Sequence, residues 1–384
     1  MRELGRAGVR VIGVAQEPSA IGLRSRYLAE GIVVAEPRSE HLIDVVRGIG
    51  ERYGPCPLLA VSEANLVWLA GQRSEFGLVT PVVPSATALA VVLDKRATLE
   101  AAEAAGIRTP VSILPESGWD LADLLRRCPL PAVLKWSDPA SVAPLLAAHG
   151  LPLLKAEHVL RPSDLQAALE RYTPIGEWPL VQEYCPGYGL GQFFLIDQGQ
   201  VLRRFQHRRI AEWPPEGGFS SVCDAVPLDE HAELQERSIA LLRAIGWEGV
   251  AMVEYRFDPL RQEARLMEVN GRFWGSFPLA VHSGAGFAWL AYRTAAGLPP
   301  ASLPPPRADL RCRMVATEVK RLWRILFQPG RIADPAFALR PWHEVSRFVA
   351  DFFRPKVRYY VWSTDDPLPF LADLRNAMAA LLNR

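Results

Sequence analysis

Three residues in the second half of the chain carry side-chain oxygens at spacings that suit a divalent cation. Glu254 lies in the apolar run Val250-Ala251-Met252-Val253-Glu254-Tyr255, and Glu268 and Asn270 close the run Leu266-Met267-Glu268-Val269-Asn270. Side chains alternate faces along a strand, so Glu268 and Asn270 project the same way, and a hairpin partner can bring Glu254 beside them. Magnesium is a hard cation that takes a few carboxylate or amide oxygens and fills its octahedron with water and substrate phosphates. The trio is therefore what a magnesium–ATP site needs. A single glutamate in a strand is more often a solvated position. Here the run is apolar and ends in Asn270-Gly271-Arg272, and a carboxylate placed among core residues must be paired or metal-bound.

Other segments supply groups for phosphate and base. Lys95 follows Asp94 at the start of a helical pattern, and Lys135 ends the apolar strand Ala132-Val133-Leu134. A lysine at the inner end of a buried strand is a flexible point charge with three donors and suits a phosphate; an ordinary snorkelling lysine fits the pattern equally well. Leu180-Val181-Gln182-Glu183-Tyr184-Cys185-Pro186-Gly187 is an apolar strand that turns out through Pro-Gly. Its backbone edges could meet a nucleobase while Tyr184 and Cys185 line the pocket, although an edge strand with a turn explains the Pro-Gly as well. His207-Arg208-Arg209 precedes the loop Trp213-Pro214-Pro215-Glu216-Gly217-Gly218. Arginine forks suit phosphate and carboxylate, and a glycine-rich loop can close over them; a solvated basic strand end is the plainer alternative.

The elements that must position these groups fall into three stretches. The first alternates helix and strand: a helix at Met1–Ala7, strands at Val9–Val14 and Ile32–Val34, a helix at Glu40–Arg52, a strand at Leu58–Val61 and a helix from Glu63 to Gln72. That rhythm implies a parallel, doubly wound sheet. Such a unit normally begins with a strand, so the expectation is a Rossmann-like domain short of its first strand. No glycine fingerprint follows any strand, which excludes the dinucleotide-binding pattern.

After a helix at Leu93–Ala105 comes a small α+β lobe, with strands at Ala132–Lys135, Leu153–Ala156 and Leu180–Tyr184 and helices at Ser141–His149 and Ser163–Tyr172. A second α+β lobe contains two strands turning at Gln198-Gly199, a helix at Glu230–Ile245, and paired strands at Gly249–Phe257 and Ala264–Val269. A proline-dense connector, Leu298-Pro299-Pro300 through Pro304-Pro305-Pro306, ends that domain.

Composition narrows the classes. The 384 residues suit two or three packed domains, and 49% hydrophobic with 22% charged residues is a globular balance. Forty-three Lys plus Arg against 42 Asp plus Glu give no field favouring nucleic acid or an anionic membrane, so small-molecule partners are the default. Five widely spaced cysteines without a CxxC pair argue against a disulfide scaffold or zinc site and fit a reducing cytoplasm. No run approaches the ~20 apolar residues of a membrane helix.

In their shared order, these segments resemble the ATP-grasp superfamily, and more closely its bacterial carboxylate–amine ligases. The resemblance runs from Leu93 to Gly297. It rests on Asp94-Lys95 with Ala105-Gly106-Ile107-Arg108-Thr109-Pro110, on Val133-Leu134-Lys135 and on Val181-Gln182-Glu183-Tyr184. It continues through His207-Arg208-Arg209 with Gly217-Gly218, Val253-Glu254-Tyr255, and Glu268-Val269-Asn270-Gly271-Arg272.

The resemblance implies two α+β lobes gripping ATP behind a Rossmann-like domain, divided as residues 1–90, 91–300 (small lobe 110–185, large lobe 186–300) and a C-terminal extension 301–384. It implies that Lys95 and Lys135 hold the phosphates and that Gln182, Glu183, Tyr184 and Cys185 hold adenine. Glu254, Glu268 and Asn270 would bind magnesium, with manganese an allowed substitute, and Arg272 and Arg209 would stabilise the charge on the moving γ-phosphoryl group. The implied reaction joins a small-molecule carboxylate to an amine through an acyl phosphate.

Two departures stand out: Trp136-Ser137-Asp138-Pro139-Ala140-Ser141 has no glycine where relatives carry a glycine-rich lid, and Tyr188-Gly189 replaces an acidic ribose contact, leaving Glu183 as the substitute. Rival readings are a degenerate ATP-binding module, which has little need of the full Glu254, Glu268 and Asn270 set, an ATP-grasp kinase or thiol ligase, and an α/β oxidoreductase. The tail from Arg311, rich in Trp and Arg, has three roles open to it: packing on the core, covering the acceptor site, or forming a homodimer contact.

Overall fold

The computed structural model describes residues 1–154, 156–299 and 301–382. Lys155, within the expected strand Leu153–Ala156, and Pro300, within the proline connector, lie outside the described residues. The strands are β1 (Ile12–Ala15), β2 (Glu30–Val33), β3 (Cys56–Leu58), β4 (Val79–Pro81), β5 (Ser112–Ile113), β6 (Ala132–Lys135), β7 (Glu157–Val159), β8 (Leu180–Glu183), β9 (Tyr188–Asp197), β10 (Gln200–Trp213), β11 (Phe219–Ala225), β12 (Gly249–Asp258), β13 (Glu263–Asn270), β14 (Arg311–Arg313) and β15 (Val357–Tyr359).

The N-terminal strands pair in parallel, β1 with β2 and β3 with β4, but as two separate two-stranded sheets rather than the continuous doubly wound sheet that the alternation suggests. Helices Glu40–Tyr53 and Glu63–Gly71 start at Ser39 and Ser62, whose side chains accept from the N–H of Leu42 and Asn65 and satisfy a donor that a helix start leaves open. Their apolar residues meet Phe76 and Val79 in a small core of their own.

The expected helix Leu93–Ala105 is Lys95–Ala104, and a separate helix that the sequence does not announce, Ala86–Leu93, precedes it. Ala86–Leu93 ends at Asp94, whose extended backbone breaks the helix and whose carboxylate caps Lys95–Ala104 by accepting from Arg96 and Ala97 N–H. The break matters because it sets Lys95 at the first position of a new helix. Asp94 also accepts from Ser137 Oγ at 2.7 Å, and the Lys95 N–H donates to the Ser137 carbonyl, so the segment after Lys135 is tied to this helix start. The glycine-free stretch is thus largely the start of a helix, Pro139–Ala148, capped by Asp138.

The small lobe is a four-stranded sheet in the order β5-β8-β6-β7. The strand carrying Gln182 and Glu183 is therefore internal, not an edge. The expected strand at Leu153–Ala156 lies further along, at β7. One face of this sheet packs on Leu146, Leu165, Leu169 and Trp136.

The large sheet has seven strands in the order β13-β12-β9-β10-β11-β14-β15. One face is covered by Ile239, Leu241 and Leu242 of helix Ala232–Ile245 with Leu89 and Leu99 from the paired helices; the other packs Phe193, Phe205 and Met252 on Trp274, Leu279 and Phe287. The last two strands come from the tail, with β14 antiparallel to β11 and β15 parallel to β14. The tail packs on the core and completes the sheet. It also reaches the N-terminus, where Asp366 accepts from Arg2 Nε at 2.8 Å and Ser25 Oγ at 2.7 Å. No helix among the described residues is long and apolar enough to cross a membrane.

Candidate active site

The hairpin β12–β13 sets Glu254 directly opposite Glu268. The register then slips at a β-bulge, with Glu254 facing Glu268 but Tyr255 facing Leu266, which leaves Met267 as the extra residue and interrupts regular pairing beside the facing carboxylates. Two carboxylates facing one another across a ladder repel. Asn270 lies two residues beyond Glu268 on the same face, opposite Met252, and its Nδ2 donates to Glu268 Oε1 at 3.0 Å. Burial pushes the Glu254 carboxyl up, the Arg209 guanidinium pulls it down, and Glu268 and Glu212 push it up again, leaving it above its ordinary value. A cation at this cluster would relieve that repulsion, so the donor set fits a hard metal ion.

Arg209 reaches this cluster from β10. It donates to Glu254 Oε2, to Glu212 Oε1 at 2.9 Å and to the Gly218 carbonyl at 3.0 Å. It lies across β9, where a Cβ at Gly189 would stand only 2.6 Å from its Cδ; glycine there leaves the path open. Burial works against the Arg209 cation, but Glu254 and Glu212 outweigh it and hold the guanidinium above its ordinary value. His207, two residues earlier, is also buried, while Arg208 stacks over Tyr188 at 5.5 Å. This segment is therefore not a solvated strand end.

The small lobe contributes Lys135, whose Nζ donates to Gln182 Oε1 at 3.0 Å. Burial lowers the Lys135 ammonium below its ordinary value; Glu268 and Glu254 support its charge and Lys95 opposes it. These interactions bring Lys135, Lys95, Glu254 and Glu268 into one electrostatic neighbourhood drawn from both lobes. Gln182 passes the contact on, donating to Ser112 Oγ at 3.0 Å.

The hinge residues divide. The Tyr184 N–H donates to the Pro131 carbonyl and its hydroxyl to Asp334 of the tail, while Cys185 is buried. The Glu183 carboxylate accepts from Arg265 at 2.6 Å and from the Val111 N–H at 3.1 Å. Through Oε2 that carboxylate joins the two sheets.

Arg272 is engaged as well, by Glu63 Oε1 at 3.1 Å, the Phe273 carbonyl at 3.2 Å and Asn270 Oδ1 at 3.4 Å. The residue between, Gly271, packs on the buried Trp247 indole, and a Cβ there would stand 2.2 Å from Cη2. Gly271→Ala is expected to cost about 1–3 kcal/mol through overpacking, and by displacing Asn270 and Arg272 to lower turnover by about 10²-fold. A melting curve and steady-state rates check both, and an unchanged melting temperature would contradict the packing account.

Comparisons with known proteins bear on this arrangement. Residues 223–301 match the family model of the carbamoyl-phosphate synthase L chain ATP-binding domain. Solved structures that superpose include an L-amino acid ligase from Bacillus licheniformis, at 18% identity over 77% of this chain and 70% of that one, TM-score 0.52. N5-carboxyaminoimidazole ribonucleotide synthetase from Thermus thermophilus superposes at 16% identity over 81% and 78%, TM-score 0.59. The chain has the ATP-grasp fold. A further ATP-grasp structure is the biotin carboxylase domain of Hydrogenobacter thermophilus 2-oxoglutarate carboxylase with MgADP and bicarbonate, at 14% identity over 81% and 69%, TM-score 0.59. No curated protein sequence matches the chain.

Within the ATP-grasp frame, the sequence motifs missed Glu212, Glu63 and Asp334. Glu212 is buried between Arg209 and Arg256, and both cations hold it below its ordinary value against the upward push of burial. Only contacts across strands and domains reveal these roles; a glutamate at the end of a basic strand carries no spacing signal. Among the described residues no group of three or more His, Cys, Asp or Glu is arranged for a metal. The candidate set instead pairs two carboxylates with the Asn270 amide.

Proposed function

We propose that the protein is an ATP-dependent carboxylate–amine ligase that forms an amide with release of ADP and phosphate. The observation that carries this reading is the convergence of Lys135 and Lys95 with Glu254, Glu268, Asn270 and Arg209 from two lobes. A partly buried set of cations and carboxylates gathered from two lobes suits a polyphosphate bridged by metal. In this reading Glu254, Glu268 and Asn270 hold magnesium, or manganese in its place, and the metal supplies charge neutralisation for the phosphates. Gln182, Glu183, Tyr184 and Cys185 hold adenine. We extend the reading to the division into residues 1–90, 91–300 and 301–384, and to a cytoplasmic location, consistent with the free cysteines Cys56, Cys128, Cys185, Cys223 and Cys312.

A carboxylate resists an amine because oxide would have to leave. One carboxylate oxygen forms a bond to the γ-phosphorus while the bond from that phosphorus to the bridging oxygen breaks and ADP departs. The amine nitrogen then attacks the carbonyl carbon, phosphate leaves with the C–O bond electrons, and the nitrogen gives up its proton. Lys135 and Lys95 steady the phosphate oxygens, and Arg272, held by Glu63 beside Asn270, meets the charge that builds on the transferred group.

The test is ADP release from magnesium–ATP across a panel of carboxylates, with and without amines. Turnover requiring both is expected. Turnover with the acid alone would mean a kinase, and none with any pair would mean a nucleotide-binding module.

A further inference from the structure

Between the N-terminal strands and the large sheet lies a cavity of about 490 Å³. One wall is formed where the parallel strands β3 and β4 run out, by Leu59 and Val83, together with Leu66 of helix Glu63–Gly71; the other is Leu195, Val250 and Phe273. The C-terminal ends of parallel strands are where open α/β sheets take ligands, and the volume is that of a small-molecule site. The lining is mainly aliphatic, and Arg272 is the one cation among the described residues that line it. Its guanidinium is aimed by Glu63, which starts the same helix that carries Leu66, so the cavity wall and the charge are set by one element. Of the acidic lining residues, Asp197 ends β9, and Glu248, just before β12, accepts with both oxygens from the Gln198 and Gly199 N–H groups of the β9–β10 turn.

We infer that the cavity takes the carboxylate substrate, and that this substrate is an amphipathic acid whose carboxylate meets Arg272 and whose apolar body fills the space against Leu59, Leu66, Leu195 and Phe273. The inference deepens the ligase reading and rests on it for the reaction, but it is read separately through binding. Arg272 follows Asn270 by two residues, so an acid held there has its carboxylate beside the phosphate-activating groups and its tail pointing away from them. A second carboxylate in the tail would meet no further cation and would face Asp197 and Glu248, and against the mainly aliphatic walls a polar tail would find few partners.

The experiment uses the full chain with a linear series from acetate to octanoate, alongside succinate and glutarate, and measures binding by calorimetry in the presence of magnesium and ADP as well as ADP release from magnesium–ATP with the amine panel present. Octanoate is expected to bind in competition with the shorter acids. Each added methylene is expected to raise kcat/KM about three- to four-fold until the cavity is full. Ala291→Phe, which narrows the cavity, should move the optimum to shorter acids, and the nearly isosteric Val83→Thr should weaken octanoate binding several-fold should Ala291→Phe fail to fold. Absence of octanoate binding, or a dicarboxylate preferred more than ten-fold, overturns the inference, while ADP release from that dicarboxylate would leave the ligase reading standing. Octanoate binding that Ala291→Phe or Val83→Thr weakens, without turnover of any acid, would support the cavity assignment and sink ligation instead.

Discussion

Glu268→Gln is expected to lower kcat for ADP release by about 10²–10³-fold, the loss seen when one preorganised charge-stabilising group is removed, while the melting temperature stays within a few degrees. The substitution keeps shape and one oxygen and removes the charge. In the resting protein that charge faces Glu254 across the ladder and supports the Lys135 ammonium, so its loss relieves one repulsion and weakens one attraction, with a small net effect on the fold. The Asn270 amide can still donate to the remaining side-chain oxygen, so the local backbone has no reason to move. A drop in activity with an unchanged melt therefore reports a functional charge. Raising the magnesium concentration should recover part of the rate if the lesion is metal affinity. Activity equal to that of the parent protein would remove the metal assignment, and a large drop in melting temperature would recast Glu268 as structural.

What could be read from the sequence was governed by range. The hairpin bearing Glu254, Glu268 and Asn270 is legible because period-two alternation and an Asn-Gly-Arg end are local signals, and β6 ends at Lys135 as its apolar run requires. The start of the helix after Asp94 is legible, but the helix before it, Ala86–Leu93, is apolar almost throughout and shows no one-sided periodicity. The pairing of Glu183 is not legible because nothing near it in sequence announces Arg265, and the ion pair joins two sheets. The tail strands β14 and β15 are three residues each, too short for periodicity to register, and exist because the large sheet offers them an edge. The cavity beside Arg272 is likewise a product of packing: its walls come from distant segments that are each ordinary apolar runs.

The largest stability effect is expected at Arg313, far from the chemistry. It sits on β14 between Val222 and Tyr359, fully buried, with its Nε donating to the buried Glu318 and its guanidinium carbon 4.7 Å from the Phe348 ring centroid and 4.4 Å from that of Phe352. The residue thus pins helix Pro341–Ala350 and the turn after it onto the sheet edge. Arg313→Ala removes the cation and leaves Glu318 as a buried charge without its partner, which costs about 3–5 kcal/mol. Burial already pushes the Glu318 carboxyl above its ordinary value while Arg313 restrains it, so the variant's carboxyl rises further. A group whose folded-state value is raised favours the fold when protonated and opposes it as pH climbs through that value. The stability deficit of Arg313→Ala should accordingly shrink toward pH 5 and widen toward pH 8. Denaturant melts across that range check the sign, and the double variant Arg313→Met with Glu318→Leu should recover most of the loss, since an apolar pair of similar volume carries no desolvation penalty. A deficit independent of pH, or a double variant as unstable as the single one, would mean that the aromatic stacking rather than the buried charge pair holds the tail in place.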